Sequence, residues 1–155
     1  MQLPDYVTKD EVRRVCTELH IRDWSQLTAA DVSSEEASTI LAEVNTMGMS
    51  IPVEEFRRGL EVELEHGTRY SDANVTNNHP VLTGKIVLAH MKETLDYYRR
   101  LEVAELEGDV LKALVTNDFQ KAAAAYGKLA AAKRNLRQAE AEVLAQVEAL
   151  RKPPL

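Results

Sequence analysis

The sequence predicts an all-α fold, a compact body of about four helices followed by one long C-terminal amphipathic, coiled-coil-like helix. Three observations carry this. Apolar residues recur at helical spacing over most of the chain. Two Thr/Ser-x-x-Glu capping boxes open the first two periodic segments. Beyond Phe119 an alanine-rich stretch (AAAAYGKLAAAKRNLRQAEAEVLAQ) favours helix strongly. The 155 residues are 45% hydrophobic and 28% charged, which excludes a disordered chain, and at 5% aromatics the core must be mostly aliphatic.

The first helix opens at the box Thr8-x-x-Glu11 and carries Val12, Val15, Cys16 and Leu19 on one stripe. Cys16, the single cysteine, lies on that stripe and is expected to be buried; alone it excludes an internal disulfide framework and fits a reducing compartment. From Ile21 to Val32 the pattern breaks, and Trp24 and Leu27 are expected to fold back onto the body. Ser33-x-x-Glu36 opens a second helix with Ala37, Ile40, Leu41 and Val44 inward, ended by Met47-Gly48-Met49. A third starts at Pro52, with Glu54 and Glu55 at the positive end of its dipole. It runs through Phe56, Leu60 and Leu64 to His66, where Gly67 stands as a C-terminal glycine. Residues 68–80 (TRYSDANVTNNHP) are polar, turn-rich and long for a helix connection, the kind of loop that tends to carry function. A fourth helix is predicted from Pro80 or Thr83 to Glu107, with Ile86, Val87, Met91, Leu95, Tyr98 and Leu101 inward and Gly108 as its interruption.

Thr116-Asn117-Asp118 then caps the last helix, which Pro153-Pro154 stops. Val115, Ala122, Leu129, Leu136, Val143 and Leu150 recur every seven residues, and Phe119, Tyr126, Lys133, Glu140 and Val147 form a second heptad position. Lys133 and Glu140 are polar breaks in that second position. The seam either meets another chain or folds back onto the body.

Charge divides the chain as composition does not. Residues 1–108 hold 20 acids against 11 bases, a balance of −9, and residues 109–155 hold 5 against 8, a balance of +3. This predicts an acidic helical domain over 1–108 and a basic helix over 109–155. Between Phe119 and Ala139 there is no acid, while Lys121, Lys128, Lys133, Arg134 and Arg137 form a basic face. That face lacks stacking aromatics and any groove-reading motif, so a solvated helix face is expected ahead of a phosphate contact. No apolar run reaches the length needed to span a bilayer, and the N-terminus has no signal-peptide pattern.

In the middle of the chain, Gly59-Leu60-Glu61-Val62-Glu63-Leu64-Glu65-His66-Gly67, Asn74-Val75-Thr76, Thr83-Gly84-Lys85-Ile86, Ala89-His90-x-x-Glu93 and Tyr97-Tyr98 stand as linked motifs over residues 52–107. Together they resemble a domain-of-unknown-function family distributed through bacteria and tailed bacteriophages. Two positions depart from its pattern. Asn78-His79 stands where an acid often follows, and Leu95 where a proline often precedes Asp-Tyr-Tyr. The resemblance implies no chemistry, but it admits a virion-associated role.

Read physically, Glu63 and His66 lie three apart on one helix, and His90 and Glu93 three apart on the next, so each pair shares a face. Two such faces resemble half of a di-iron carboxylate site, with ligands suited to iron, manganese or zinc. The alternative is a buried polar network in which His66 answers the helix dipole, Thr83 and Asn74 cap backbone groups, and His90 meets Glu63 or a loop carbonyl. Asn74-Val75-Thr76 has the form of a glycosylation acceptor, and its reading without a secretory signal is chance.

Three functional classes follow. The first expectation is a non-enzymatic structural or assembly protein with no cofactor. It would be a virion component if phage-encoded and cytoplasmic otherwise, self-associating or docking on other proteins of a larger assembly through its C-terminal helix. The second is a metal-binding helical bundle using Glu63, His66, His90 and Glu93. The third, least favoured, is a nucleic-acid accessory protein acting through the basic tail; a membrane role is not expected. The interaction seam is assigned to Phe119, Tyr126, Leu129, Leu136, Val143, Val147 and Leu150.

Overall fold

Thr8 and Ser33 both cap the helices their contexts predict, Ser33 with a full capping box and Thr8 with half of one, the Glu11 carboxylate turning to Arg14 instead. The computed structural model describes residues 7–151, with side chains as far as residue 148. The Thr8 hydroxyl accepts from the Glu11 amide at 3.2 Å and opens α1 (Lys9–Glu18). Ser33 and Glu36 form both halves of a capping box at the head of α2 (Ser34–Val44). That helix ends on Asn45, whose side chain grips both backbone groups of Met49, and Gly48 takes the left-handed conformation the turn needs (φ 67°). Then come α3 (Val53–Arg69) and α4 (Pro80–Glu93), with Pro80 in the first turn.

These four helices form one compact unit, Met1–Leu95. Within it α2 packs on both α3 and α4, α3 on α4, and α1 touches α4. Val12, Cys16, Trp24, Ile40, Phe56, Leu60, Leu64, Val87 and Met91 are essentially sealed from solvent. Each large apolar side chain so buried contributes about 1.5–3 kcal/mol. Trp24, on a single 3-10 turn (Trp24–Gln26), folds back onto the body as expected and is fully buried. Its amide donates to the Cys16 sulfur at 3.4 Å, and burial raises the Cys16 thiol above its ordinary range, which makes it a packing residue rather than a nucleophile. Gly84 is required for close approach: a methyl there would sit 2.6 Å from the Ile40 side chain of α2.

The second unit, Asp96–Leu155, is a helical hairpin in the described residues. Its arms are α5 (Tyr97–Val115) and α6 (Phe119–Arg151), 33 residues and so roughly 50 Å long. Asn117 turns the chain with φ 57°, and the Asp118 carboxylate accepts from the Lys121 amide at 3.0 Å. The arms are antiparallel, and Tyr98 and Ala113 of α5 and Ala122, Ala125, Leu129 and Ala132 of α6 are buried. Ion pairs from Lys133 to Glu107 and from Arg100 to Glu140, both 2.7 Å, tie the arms along one side. Because Glu140 pairs beside the first turn of α5, the remainder of α6 extends past its partner helix.

All described residues are helix, 3-10 turn or irregular chain, with no strand among them. The all-α fold with a long C-terminal helix is therefore confirmed, but two elements differ from the sequence reading. The fourth helix does not run to Glu107. Thr94 turns extended (φ −160°, ψ 139°), α4 stops at Glu93, and Ile86 and Leu95 are exposed rather than inward. Gly108 sits inside α5 without interrupting it, since a glycine costs a helix only about 1 kcal/mol. The compact units divide at Leu95, and the change of charge at 108/109 falls within α5.

Nothing lies within 4 Å of a methyl built on Gly108 or on Gly127 of α6. Gly108→Ala and Gly127→Ala should therefore each stabilise the hairpin, by about 0.5–1 kcal/mol. Thermal denaturation of each variant checks this; a lower Tm would show that the glycine serves a contact.

Candidate functional site

The polar loop between α3 and α4 is held by its own asparagines. Asn77 and Asn78 both take positive φ (48° and 62°), a conformation asparagine tolerates better than other side-chain-bearing residues. The Asn77 amide reaches back to the Val7 carbonyl and ties the loop to the entrance of α1. The Asn74 amide donates to the Gly67 carbonyl at 3.2 Å and to the Asn78 side-chain oxygen at 2.9 Å. The Asn78 backbone donates to Thr76 Oγ1 at 3.3 Å, and Asn78 and His79 are only 7% and 8% exposed. Because the Asn74 amide nitrogen is committed twice, the Asn-Val-Thr sequence is a loop lock.

Gly67 belongs to this lock rather than to a helix stop. α3 continues to Arg69, and a methyl on Gly67 would fall 2.0 Å from the Asn78 side-chain oxygen. Nor does Thr83 cap α4; it is buried within the helix, and His79 caps instead, its Nδ1 accepting from the Leu82 amide at 3.4 Å. An acceptor Nδ1 is unprotonated. Burial holds the His79 imidazole below the ordinary histidine value of 6.5, against the opposing pull of the Glu11 carboxylate, with Arg14 and Lys85 lowering it further. The folded chain thus binds this proton less readily than the unfolded one. The stability due to His79 is complete above pH 6.5 and is lost as pH falls from there through the lower folded value. His79→Asn, which keeps a capping oxygen and removes the titration, should flatten the decline of stability that sets in as pH falls below 6.5. Denaturant unfolding at stepped pH measures it, and an unchanged slope would assign the decline to another group.

Below the loop, α3 and α4 bring three of the four candidate ligands together. The Glu63 carboxylate, mostly buried, lies 3.7 Å from His66 Nδ1 and 3.7 Å from His90 Nε2. Glu93, the last residue of α4, is exposed. Ligand bonds of about 2.0–2.2 Å would set two donors of one ion about 3 Å apart. Among the described residues no group of three or more His, Cys, Asp or Glu is placed to hold a metal ion. As it stands the trio is a carboxylate of α3 set between an imidazole of its own helix and one of α4.

A second polar centre, between the chain before α2 and α2 itself, was legible only in part. Glu36 is the predicted capping-box acid, yet at 5% exposure it also gathers the Arg22 guanidinium (2.7 and 3.0 Å), the Trp24 indole N–H (3.2 Å) and the Ser33 amide (3.0 Å). Nothing in the spacing of Arg22 and Trp24 announces that they converge on it.

On the hairpin the seam residues separate into two sets. Leu129 is buried against α5 and Leu136 half-buried, so one heptad position folds back within the unit. Phe119 and Tyr126 are 67% and 64% exposed, and Val143 and Val147 are exposed on the part of α6 beyond α5. The Leu150 side chain lies outside the described residues. Of the basic face, Lys121, Lys128, Arg134 and Arg137 are exposed, while Lys133 pairs with Glu107. No helix among the described residues is long and apolar enough to cross a membrane.

No curated protein matches this chain, and neither does any solved structure. A family model described as a protein of unknown function (DUF5661) matches residues 12–107, which is more than half of the sequence. The match begins at Val12, so α1 from that residue on and all of α2, which the central motifs alone left aside, lie within it together with the loop lock and the Glu63 trio. The chain belongs to the DUF5661 family of proteins of unknown function.

Proposed function

We propose that this is a non-enzymatic assembly protein that associates with other protein through its C-terminal hairpin. The carrying observation is the pair Phe119 and Tyr126, two aromatics seven residues apart, 67% and 64% exposed on a helix whose Ala122 and Leu129, of the neighbouring heptad series, are already buried. Large aromatics repeated at that spacing on an open helix face fit a partner's groove and serve no purpose in solvent. The polar centres of the first unit support the same reading. Glu36, Asn74 and the Asn78 side chain spend their hydrogen bonds on neighbouring elements and so hold the fold. A virion, as the resemblance to a phage-borne family admits, is one assembly such a protein would enter. The test is the native mass of the chain in extracts of cells that produce it, by size exclusion with immunodetection. The chain should elute well above its own 17.4 kDa, and Phe119→Ser/Tyr126→Ser should return it towards that mass. An elution position that the double change leaves where it was would overturn the proposal.

A further inference from the structure

The chain from Ser71 to His79 is held down by polar contacts and by little apolar burial. Its branched aliphatic side chain, Val75, is 84% exposed, and the side chains it does bury are those of Asn78 and His79. Asn74 holds Gly67 and Asn78, and Asn77 holds the Val7 carbonyl at the entrance of α1. The His79 imidazole receives the Leu82 amide at the head of α4. Pro80, next in the chain, is fully buried and marks where the core begins. Asn77 and Asn78 are both kept in the left-handed region, which side-chain-bearing residues leave when released. A segment secured in this way can open while the helices beneath it stay packed.

We propose that His79 is the bolt of a proton-operated latch: on taking up a proton it lets go of the head of α4 and frees the 74–79 loop from the entrance of α1, while the core of the unit stays closed. Three features converge on the imidazole. Its Nδ1 is an acceptor, and an imidazolium has none, so protonation ends the bond from the Leu82 amide. The new charge would stand at the positive end of the α4 dipole, where a cation is disfavoured. The residue is also only 8% exposed, so that charge would be poorly solvated in place. The charged groups facing the ring are Glu11 and Arg14 of α1 and Lys85 of α4. Glu11 alone attracts a proton there, and its carboxylate is already engaged by Arg14 at 2.6 and 2.8 Å. The imidazolium therefore gains water only by leaving its place. Asn77 and Asn78 are its immediate neighbours, so their bonds to Val7 and Asn74 go with it. Mild acid thus changes the surface around the entrance of α1 and the head of α4 without unfolding the protein, as a pH sensor does. The latch lies in the first unit and does not depend on what the hairpin binds.

Amide hydrogen exchange of the full-length chain at stepped pH tests this, read as protection factors so that the pH dependence of intrinsic exchange drops out. Below pH 6.5, the ordinary histidine value, the amides of Asn78, His79 and Leu82 should lose protection about tenfold per pH unit, down to the folded value. The amides from Leu60 to Leu64, in the middle of α3, should keep theirs over the same range. His79→Asn should make the protection of the loop independent of pH. Glu11→Gln removes the acid that faces the ring and should carry the loss on to lower pH. If His79→Asn does not fold, the imidazole's own titration by NMR decides. Its midpoint should lie below 6.5 in the parent chain and fall further in Glu11→Gln. A midpoint at or above 6.5 overturns the proposal. So does a loss shared equally by the loop and α3, which would mean that the proton unfolds the whole unit, and so does a loss in the loop that survives His79→Asn.

Discussion

Glu36→Ala should lower the stability of the first unit by about 3 kcal/mol, the range seen when one member of a buried, hydrogen-bonded charge centre is deleted. The geometry gives the reason. One carboxylate, 5% exposed, receives the Arg22 guanidinium, the Trp24 indole and the Ser33 amide. Removing it strands the indole N–H in the core, where Trp24 has no access to water, and deletes half of the α2 capping box. Arg22 is about half exposed and regains water, which keeps the loss below that of a fully buried pair. For a unit of this size the loss corresponds to a fall in Tm of roughly 12–20 °C. Calorimetry of Glu36→Ala beside Glu36→Gln measures it, and Gln, which keeps one acceptor, should lie between. A Tm within two or three degrees of the parent (about 0.5 kcal/mol) would mean that Trp24 finds another acceptor.

The same centre makes an acid-side prediction of opposite origin to that of His79. Burial pushes the Glu36 carboxyl upward, but the Arg22 guanidinium, the Ser33 amide and the Trp24 indole together hold it below the ordinary 4.5. Its contribution is therefore complete above pH 4.5 and is lost as pH falls through the lower folded value. His79 acts earlier in an acid titration and Glu36 later. Glu36→Gln should remove only the later part of the decline.

The difference between what could and could not be read from the chain is a difference of range. Capping boxes, the proline start of α4 and the Asn117-Asp118 turn are local hydrogen-bond chemistry, so Thr8, Ser33 and Asp118 do in the structure what their neighbours in sequence say. The Glu63–His66–His90 cluster was half legible. The i,i+3 spacing places Glu63 and His66 on one face, while the arrival of His90 depends on how α3 meets α4. Glu93 has the same spacing from His90 and is exposed, because a shared face says nothing about which face packs. The heptads show the same limit. Sequence gives two seven-residue series, and only packing reveals that Ala122 and Leu129 are spent on α5 while Phe119 and Tyr126 are not. The end of α4 was missed because Gly108 looks like the stronger breaker, whereas the chain in fact breaks at Thr94.

Gly67→Ala carries the other large effect, about 2–3 kcal/mol of destabilisation, and it separates two meanings of a glycine near a helix end. As a C-terminal stop, Gly67 would need positive φ, and alanine would cost about 1 kcal/mol by backbone strain alone. In the structure α3 passes through it to Arg69, and its φ is not among the positive ones. The place of its missing methyl is instead taken by the Asn78 side-chain oxygen, 2.0 Å away, with the Asn74 amide nitrogen at 2.8 Å. Asn78 cannot step aside cheaply, being 7% exposed and held at φ 62° between Thr76 and the His79 cap. A methyl there must break the Asn74–Asn78 bond and lift the loop from α3, and the His79 cap of α4 would loosen with it. Hydrogen exchange distinguishes the cases. Loss of protection at the amides of Asn78, His79 and Leu82 together, with the middle of α3 unchanged, is the signature of the lock. Loss confined to Thr68–Tyr70 is the signature of a helix stop, and would return Gly67 to that role.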